Sequence, residues 1–494
     1  MSTLNLLAFD IGASNGRGIL GRFDGERIEM TPLHQFENHF SQQGDLYTWD
    51  VFRIHQNMKQ AFIRAKAAGL VPDSFGIDTW GVDYGLLDTQ GGLVEAPRAY
   101  RMSTDKEMHA AWEKIPERRM FDLTGISAIS FNTVFQLYRR VKDGDWALSQ
   151  ARALLMMPDL LAYFLTGVKS MEYTAASSTG LVDLATREIS QEILDALEIP
   201  GHLFCDIVMP GRLLGELKDD IAREVGLPRV PYALVGTHDT ASAVAAIPGT
   251  GDFAFCSSGT WSCFGFESDT PQLSDEAFLS RFGNEGSVQG AYRPLLNLMG
   301  LWLVQECRRE WAKDLGYVPD WEDIKSQAAQ ALPLRSIINP DDAIFYKAGD
   351  MPKKIQDYCR KTHQPVPETI GQIARACYES LALKYRYTIE RMGKMRGKPV
   401  SSLNITGGGI QNNLLNQMAA DSTGLPVTAG PIEGAAMGNA LMQAMALGEI
   451  AGMEELRQVV RASVQPRVYL PRRTQAWEDA YGKLLDLLST TNEK

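Results

Sequence analysis

Two short stretches of this chain carry glycine and hydroxyl-bearing residues in the same arrangement. Residues 10–17 and residues 257–260 each lie between two apolar segments that predict strands. A turn of this kind directs backbone N–H groups and hydroxyls to one point, and glycine allows the chain to approach a ligand closely. Polyphosphate suits such a point best. The pair therefore predicts a cleft that holds one nucleotide between two lobes.

The first turn differs from two common phosphate-binding motifs. It lacks the Lys-Ser/Thr that ends a Walker A loop, and a strand rather than a helix follows it, which excludes the dinucleotide fingerprint. Asp10 at its mouth could orient Mg²⁺, often through water. For one such turn alone, the simpler interpretation is that Asp10 and Asn15 are ordinary turn residues. The second copy at residues 257–260 favours a function.

His238 and Asp239 follow a short apolar strand at residues 232–235 and precede a stretch of small residues. Ligands bind at the ends of such strands in α/β folds. A carboxylate there could accept the proton of an attacking hydroxyl, while positioning and electrostatics supply most of the catalysis. Asp239 could equally cap the helix that follows it. The residues alone leave both interpretations open.

Two further segments combine residue types that bind sugars or nucleotides. Residues 78–83 offer carboxylates, a glycine and a tryptophan, although a tryptophan packed in the core is the simpler interpretation there. The triple glycine at residues 407–409 leaves room for a flat base or ribose, or forms a plain turn between strand and helix. Asn297 and Gln305 lie near an apolar run and could be core amides or ligand contacts.

The elements that must position these residues form two lobes. A chain of 494 residues exceeds the ~250–300 residues at which single cores stop growing. We place the sugar-binding segment and the first phosphate turn in an N-terminal lobe, residues 1–246, and nucleotide binding in a C-terminal lobe, residues 247–494. Strands and helices mix in both, which predicts an α/β fold. A packing helix is expected at residues 474–490.

Charge and composition exclude several classes of protein. The net charge of −11 argues against a nucleic-acid binder, which carries basic patches. No apolar run reaches the length of a membrane span, and the first five residues show no basic region or cleavage site. The six cysteines show no zinc spacing, which favours reduced core thiols. We therefore expect a cytoplasmic protein.

Taken together, these segments resemble the FGGY family of sugar kinases, and the resemblance runs through the whole chain in order. It is carried by residues 10–17, 76–83, 157–159, 172–174, 238–242, 257–262, 297–302 and 407–412. It implies a two-lobed actin-like fold, also called ribonuclease-H-like, with a central cleft.

The resemblance also implies an activity, ATP-dependent phosphorylation of L-rhamnulose at its 1-hydroxyl in L-rhamnose catabolism, with Mg²⁺ at Asp10. Asp239 would be the catalytic base. Residues that would bind ATP are Ala13, Ser14, Asn15, Gly16, Arg17, Thr260, Gln305 and Gly408. Residues that would surround the sugar are Gly81, His238, Asp239, Thr240 and Asn297. We expect a monomer or homodimer.

Three alternatives remain. The substrate could be another ketose, such as L-fuculose or L-xylulose, because stereochemistry is read by a few hydroxyl contacts. An actin-like ATPase would hydrolyse ATP without a sugar. A sugar sensor without catalysis would need an output module, and no DNA-binding helix pair or basic face is visible.

Overall fold

The structure is a computed structural model that describes residues 3–472 and 474–491. Met1 and Ser2, which belong to the N-terminal segment discussed above, lie outside the described residues. Among the described residues, no helix is both long and apolar enough to cross a membrane. All six cysteines are free thiols.

Strands and helices are mixed along the chain, with runs of each, as expected for an α/β protein. The strands are β1 Leu4–Ile11, β2 Asn15–Phe23, β3 Ile28–Glu37, β4 Phe40–Gln43, β5 Leu46–Trp49, β6 Ser74–Thr79, β7 Tyr84–Leu87, β8 Ala153–Met156, β9 Met171–Glu172, β10 Ile207–Val208, β11 Arg212–Glu216, β12 Pro231–Leu234, β13 Phe253–Ser258, β14 Trp261–Gly265, β15 Gly283–Gly286, β16 Tyr292–Met299, β17 Ser402–Thr406, β18 Val427–Ala429 and β19 Arg467–Tyr469.

The helices include a long run between β7 and β12, where the sequence predicts mainly helices. They are α1 Val51–Ala67, α2 Asp105–Trp112, α3 Glu117–Thr124, α4 Thr133–Lys142, α5 Trp146–Gln150, α6 Met157–Thr166, α7 Tyr173–Ser177, α8 Gln191–Leu197, α9 Asp219–Val225, α10 Asp239–Ala245, α11 Asp275–Leu279, α12 Trp302–Leu315, α13 Trp321–Gln330, α14 Met351–Lys361, α15 Ile370–Arg396, α16 Asn413–Thr423, α17 Gly434–Ala446, α18 Met453–Ser463 and α19 Gln475–Thr491. Short 3-10 helices occur at Tyr100–Met102, Gly201–Leu203, Val288–Gly290, Ala343–Phe345 and Gly408–Gln411.

The chain forms two compact units, each assembled from separate segments. The first unit contains the described residues up to Pro248, together with Glu267–Pro294 and Glu433–Val464. The second contains Gly249–Phe266, Leu295–Ile432 and the described residues from Gln465 onwards. This division differs from the predicted lobes 1–246 and 247–494 in the two later segments of the first unit. Helix α17 explains why the segment Glu433–Val464 belongs to the first unit, because the small, apolar residues of this helix pack on β1 and β6.

The first unit is built on a six-stranded sheet in the order β11, β12, β6, β1, β2, β3. Strand β1 runs antiparallel to β2 and parallel to β6. Its apolar residues point alternately to the two faces, as the period of a strand requires. Leu7 and Phe9 belong to one buried cluster together with side chains of α1, whereas Leu6 and Ala8 belong to another with side chains of α17. Helices therefore cover both faces of β1.

The second unit repeats this arrangement. Its sheet contains the strands in the order β16, β14, β13, β17, β18, β19. Strand β13 is antiparallel to β14 and parallel to β17, as β1 is antiparallel to β2 and parallel to β6. Each of the two paired turns thus joins two central strands of a sheet. Helix α19 packs on α15 through Tyr481, which donates to Glu390 at 2.6 Å, so the predicted packing helix is confirmed.

Candidate active site

Three charged residues lie side by side at the end of the first sheet. The strand register pairs Asp10 with Asp78 on β6 and with Arg17 on β2. The Arg17 guanidinium donates to Asp10 Oδ2 at 2.7 Å and forms a second ion pair with Glu433. A guanidinium that bridges two carboxylates is held in place by charge-assisted hydrogen bonds. Arg17, the last residue of the predicted phosphate turn, is therefore fixed beside Asp10.

Burial and the mutual repulsion of the carboxylates raise the pKa values of the aspartates at this end of the sheet. Burial raises the pKa of Asp10 to about 6, although the neighbouring Arg17 opposes the rise. Burial and then the Asp10 carboxylate raise the pKa of Asp78 well above its ordinary value. Asn439 donates to Asp78 Oδ2 at 2.6 Å, whereas the buried Asp78 Oδ1 has no hydrogen-bond partner among the described residues. Such a pair of carboxylates favours a cation.

The first turn is tied down by backbone bonds, and its tip is open to solvent. Gly12 N–H donates to the Asn15 carbonyl at 2.8 Å, and Asn38 N–H donates to the Ser14 carbonyl at 3.0 Å. The side chains of Ser14 and Asn15 are exposed, whereas Ala13 is partly covered. Gly16 is buried, and a Cβ there would lie 2.2 Å from the Phe36 ring. Close packing accounts for this glycine without a ligand.

His238 and Asp239 lie at the end of the sheet that also carries Asp10 and Asp78. The backbone beside them is joined to β6 through Thr79 N–H, which donates to the Thr237 carbonyl at 2.9 Å. Asp239 is the first residue of α10, and the N-cap residue is His238, whose side chain makes no cap bond. Asp239 Oδ1 accepts from Thr240 N–H at 2.6 Å, and 34% of the Asp239 side chain is exposed. Asp239 is therefore not the N-cap residue, although its carboxylate bonds to the first turn of α10 and remains partly exposed.

Four of the residues predicted to contact the sugar meet in the first unit. His238 Nε2 lies 3.5 Å from Asp239 Oδ1 and 3.4 Å from the Thr240 hydroxyl. Gly81 lies against the same ring, because a Cβ there would be 3.0 Å from His238 Nε2. The Asp239 charge also contributes to the raised pKa of Asp10. The candidate base thus lies near the acidic end of the sheet.

Two buried carboxylates, Glu172 and Asp159, lie next to the residues that hold the His238 backbone. Glu172 Oε2 accepts from the hydroxyls of Thr174 and Thr237, each at 2.6 Å, and Thr174 Oγ1 in turn accepts from His238 N–H at 3.1 Å. Burial raises the pKa of Glu172. Burial and the neighbouring Glu172 raise the pKa of Asp159 to about 8. Sequence reasoning did not assign these carboxylates a role, although residues 157–159 and 172–174 were among the segments that carried the resemblance.

The segment at residues 78–83 is mostly a packing unit. The Asp83 carboxylate accepts from the indole N–H of Trp49 at 2.6 Å and of Trp80 at 3.0 Å. The two indole rings lie 4.3 Å apart and are buried. The structure therefore favours the core interpretation of Trp80 and Asp83, whereas Gly81 lies against the His238 ring.

The second unit brings together residues predicted to bind the nucleotide. The Thr260 hydroxyl donates to Gln305 Oε1 at 3.1 Å. A Cβ at Gly409 would lie 2.0 Å from Ser258 Oγ, so the triple-glycine turn packs on the turn at residues 257–260, whereas Gly408 faces open space. Asn297 is exposed on β16 and is paired with Cys263 of β14.

Sequence reasoning missed several polar residues of the first unit. They are Asp159, Glu172, Glu285, Arg293, Glu433 and Asn439. Arg17 and Glu433 are 416 positions apart in the chain, so no local pattern could have connected them. Among residues 3–472 and 474–491, no three His, Cys, Asp or Glu side chains gather as a metal site.

Family models for carbohydrate kinases match both halves of the chain. The N-terminal domain of the FGGY family of carbohydrate kinases matches residues 5–246, and the C-terminal domain of that family matches residues 254–447. The chain belongs to the FGGY family of carbohydrate kinases. An FGGY kinase takes a sugar and ATP as substrates.

Curated relatives of this FGGY kinase match over nearly its full length. A rhamnulokinase from Bacteroides thetaiotaomicron is 39% identical over 479 residues, which cover 97% of this chain and 98% of the relative. A rhamnulokinase from Pectobacterium carotovorum is also 39% identical, over 96% of this chain and 94% of the relative.

Solved structures with the same fold are sugar and polyol kinases. A xylulose kinase from Rhodospirillum rubrum superposes with a TM-score of 0.81 at 17% identity and covers 99% of each chain. A glycerol kinase from Plasmodium falciparum, solved with ADP, gives a TM-score of 0.78 at 13% identity over 99% of this chain and 98% of that one. The predicted sugar-kinase fold is confirmed.

Proposed function

We propose that this protein is an ATP-dependent rhamnulokinase, which transfers the γ-phosphoryl group to the 1-hydroxyl of L-rhamnulose and forms L-rhamnulose 1-phosphate. The observation that supports the substrate is the match to rhamnulokinases, which extends over 97% of the chain and includes both family domains. We also propose that the enzyme works in the cytoplasm as a monomer or homodimer.

Asp239 is the general base of this proposal. Its carboxylate is partly exposed at the start of α10 and is oriented by Thr240 N–H at 2.6 Å. A general base has to reach the proton that it removes, so an oriented and accessible carboxylate fits the role. His238, Thr240 and Gly81 surround the same point in the first unit and would bind the ketose hydroxyls, and Asn297 of the second unit is proposed as a further sugar contact.

The phosphate groups of ATP are assigned to the two turns. In the first unit, the exposed tip at Ser14 and Asn15 offers N–H groups and a hydroxyl, and Arg17 adds a positive charge. In the second unit, Thr260 with Gln305 would bind phosphate, and the open face of Gly408 would lie against the nucleoside. Fixed donors of this type stabilise the charge of the transferred phosphoryl group.

Mg²⁺ fits the acidic end of the first sheet. Asp10 and Asp78 lie side by side, their pKa values are raised, and Asp78 Oδ1 has no partner among the described residues. Asp10, with Asp78 behind it, would hold the ion through water, since Mg²⁺ gives up its water reluctantly. When bound, the ion neutralises charge on the β- and γ-phosphates.

Identification of the product tests the proposed reaction. The full-length protein is incubated with Mg·ATP and L-rhamnulose, and the product is examined by ³¹P and ¹H NMR. We expect a phosphomonoester whose phosphorus couples to two protons on carbon 1. A phosphate on another carbon, or no phosphomonoester, would contradict the proposal.

A further inference from the structure

His238 is held on one side by a carboxylate that comes from a distant part of the chain. Its Nδ1 lies 3.1 Å from Oε2 of Glu285, a residue of β15. An ionised carboxylate can only accept a hydrogen bond, so this contact favours a hydrogen on Nδ1, whereas Arg293 NH2, 3.4 Å from Nδ1, could bond to that atom only if it carried none. The Glu285 segment belongs to the first unit, although it lies within residues 247–494, the predicted second lobe.

Arg293 fixes this carboxylate in turn. Its side chain is fully buried, and its NH2 group donates to Glu285 Oε2 at 3.1 Å. Its Nε donates to the Gly286 carbonyl at 2.9 Å, next to Glu285 in the chain. A buried guanidinium without a carboxylate would be very unfavourable, so Glu285 and Arg293 hold each other in place. The result is a chain of contacts from Arg293 through Glu285 to His238.

The charges around the imidazole favour its protonated form. Burial alone would lower the pKa of His238, but the Glu285 carboxylate, with Asp239, raises it above its ordinary value. Arg293, whose NH2 lies 3.4 Å from Nδ1, opposes this rise. Burial would likewise raise the pKa of Glu285, but His238 and Arg293 together lower it. These are the charged groups that face the ring from α10, β15 and β16.

We propose that Glu285 is a positioning residue: together with Arg293 it keeps Nδ1–H of His238 bonded, so that Nε2 faces the ketose beside Asp239. The inference rests on the proposed function, because it gives Nε2 a substrate oxygen to bind. With Nδ1 always occupied, Nε2 accepts a hydrogen bond when the ring is neutral and donates one when the ring is charged. Glu285 therefore controls whether His238 can donate to a ketose oxygen.

Glu285→Gln removes the charge of this residue and keeps its shape. The amide oxygen of Gln can still accept from Nδ1–H, but the negative charge is lost. Loss of an opposite charge at this distance lowers the pKa of the imidazole by about 1 unit or more. As pH rises, the charged form of His238 that donates from Nε2 is then lost earlier than in the wild type. The alkaline fall of kcat/KM for the ketose moves to lower pH with it.

Two measurements on the full-length protein test the proposal. The pKa of His238 is measured without substrate by ¹⁵N NMR titration of the histidine rings, with His238→Asn as the assignment control. The pH profile of kcat/KM is then measured with L-rhamnulose. Asp275→Asn is the matched control, because it removes an arginine-paired carboxylate from the same segment, where the side chain is 84% exposed.

We expect the pKa of His238 and the alkaline limb of kcat/KM to shift together to lower pH in Glu285→Gln and to stay unchanged in Asp275→Asn. An unchanged pKa in Glu285→Gln would overturn the proposal, and so would a shifted pKa with an unchanged profile. If the wild-type protein phosphorylates no ketose, the proposed function fails, while the substrate-free titration still decides whether Glu285 holds His238. If Glu285→Gln does not fold, Glu285→Asp replaces it, because the shorter side chain withdraws the carboxylate and should also lower the pKa.

Discussion

Three carboxylates of the first unit, Asp239, Asp159 and Glu172, differ in their surroundings. Asp239 is partly exposed and faces His238 and Thr240, whereas Asp159 and Glu172 are completely buried behind them. The exposed Asp239 can exchange a proton with a ligand, whereas Asp159 and Glu172 bond to neighbouring protein groups. Chemistry is therefore expected to depend on Asp239, and the pH dependence of stability on the two buried carboxylates.

Asp239→Asn should abolish most of the turnover. The amide has nearly the same shape as the carboxylate but cannot accept the hydroxyl proton, and general base catalysis contributes about 10²–10⁴-fold to rates. We expect kcat to fall by about that factor, with KM for ATP nearly unchanged. Steady-state kinetics with L-rhamnulose measures both. Near-normal turnover in Asp239→Asn would show that another group removes the proton.

Asp159 makes the stability of the protein depend on pH. The pKa of Asp159 is about 8 in the folded state because of burial and the neighbouring Glu172, compared with an ordinary value of 3.8. Between these values the folded state holds more protons than the unfolded state, so stability falls as pH rises, by at most about 1.4 kcal/mol per pH unit.

Asp159→Asn should remove this contribution. Urea unfolding of the wild type and of the variant between pH 4 and pH 8 measures it, and the free energy of unfolding of the wild type should decline relative to that of the variant as pH rises. A constant difference across this range would mean that Asp159 is ionised in the folded protein.

At the scale of elements, the site depends on how closely α10 and α17 approach. Helix α10 begins with Asp239, and α17 carries Asn439, which donates to Asp78 at 2.6 Å. The two helices meet at Gly438, where a Cβ would lie 1.8 Å from the Ser242 carbonyl oxygen. The crossing of α10 and α17 at Gly438 therefore sets the positions of Asp239, the candidate base, and of Asn439, which bonds to Asp78.

Gly438→Ala should destabilise the protein and lower its activity. Because the added methyl group would meet backbone rather than a movable side chain, the helices have to separate, at a cost of about 1–3 kcal/mol. Gly482→Ala in α19 is the matched control, since a Cβ there meets nothing within 4 Å; it should be neutral or stabilising. Denaturant unfolding and kcat/KM measure both effects. Equal stability of the two variants would contradict the proposed role of the crossing.

At the scale of the whole molecule, local features could be predicted and distant contacts could not. The turn at residues 10–17 is a hairpin as expected, because strand pattern and turn residues act within a few positions. Helix α1 at Val51–Ala67 likewise follows from the helical spacing of apolar residues over 51–68, which Gly69 closes. Local composition could not decide whether Trp80 binds a ligand or packs, and the structure shows it packed against Trp49, with the ring centroids 4.3 Å apart.

The division into units shows the same limit. Glu285, Glu433 and Asn439 lie in segments that the linear boundary at residue 246 assigned to the second lobe, yet they belong to the first unit. Their partners, His238, Arg17 and Asp78, were all noticed in the sequence. The sequence could not show that the chain returns to the first unit at these segments, because the residues in contact are far apart in it: Asn439 and Asp78 are separated by 361 positions.

The central claim is that this FGGY kinase acts on L-rhamnulose, and ADP release with a panel of sugars tests it most directly. The rate is measured with Mg·ATP and L-rhamnulose, L-fuculose, L-xylulose or no sugar. We predict that kcat/KM for L-rhamnulose exceeds that for the other two ketoses, and that the rate without sugar is negligible. A higher kcat/KM for another ketose, or an equal rate of ADP release without any sugar, would contradict the claim.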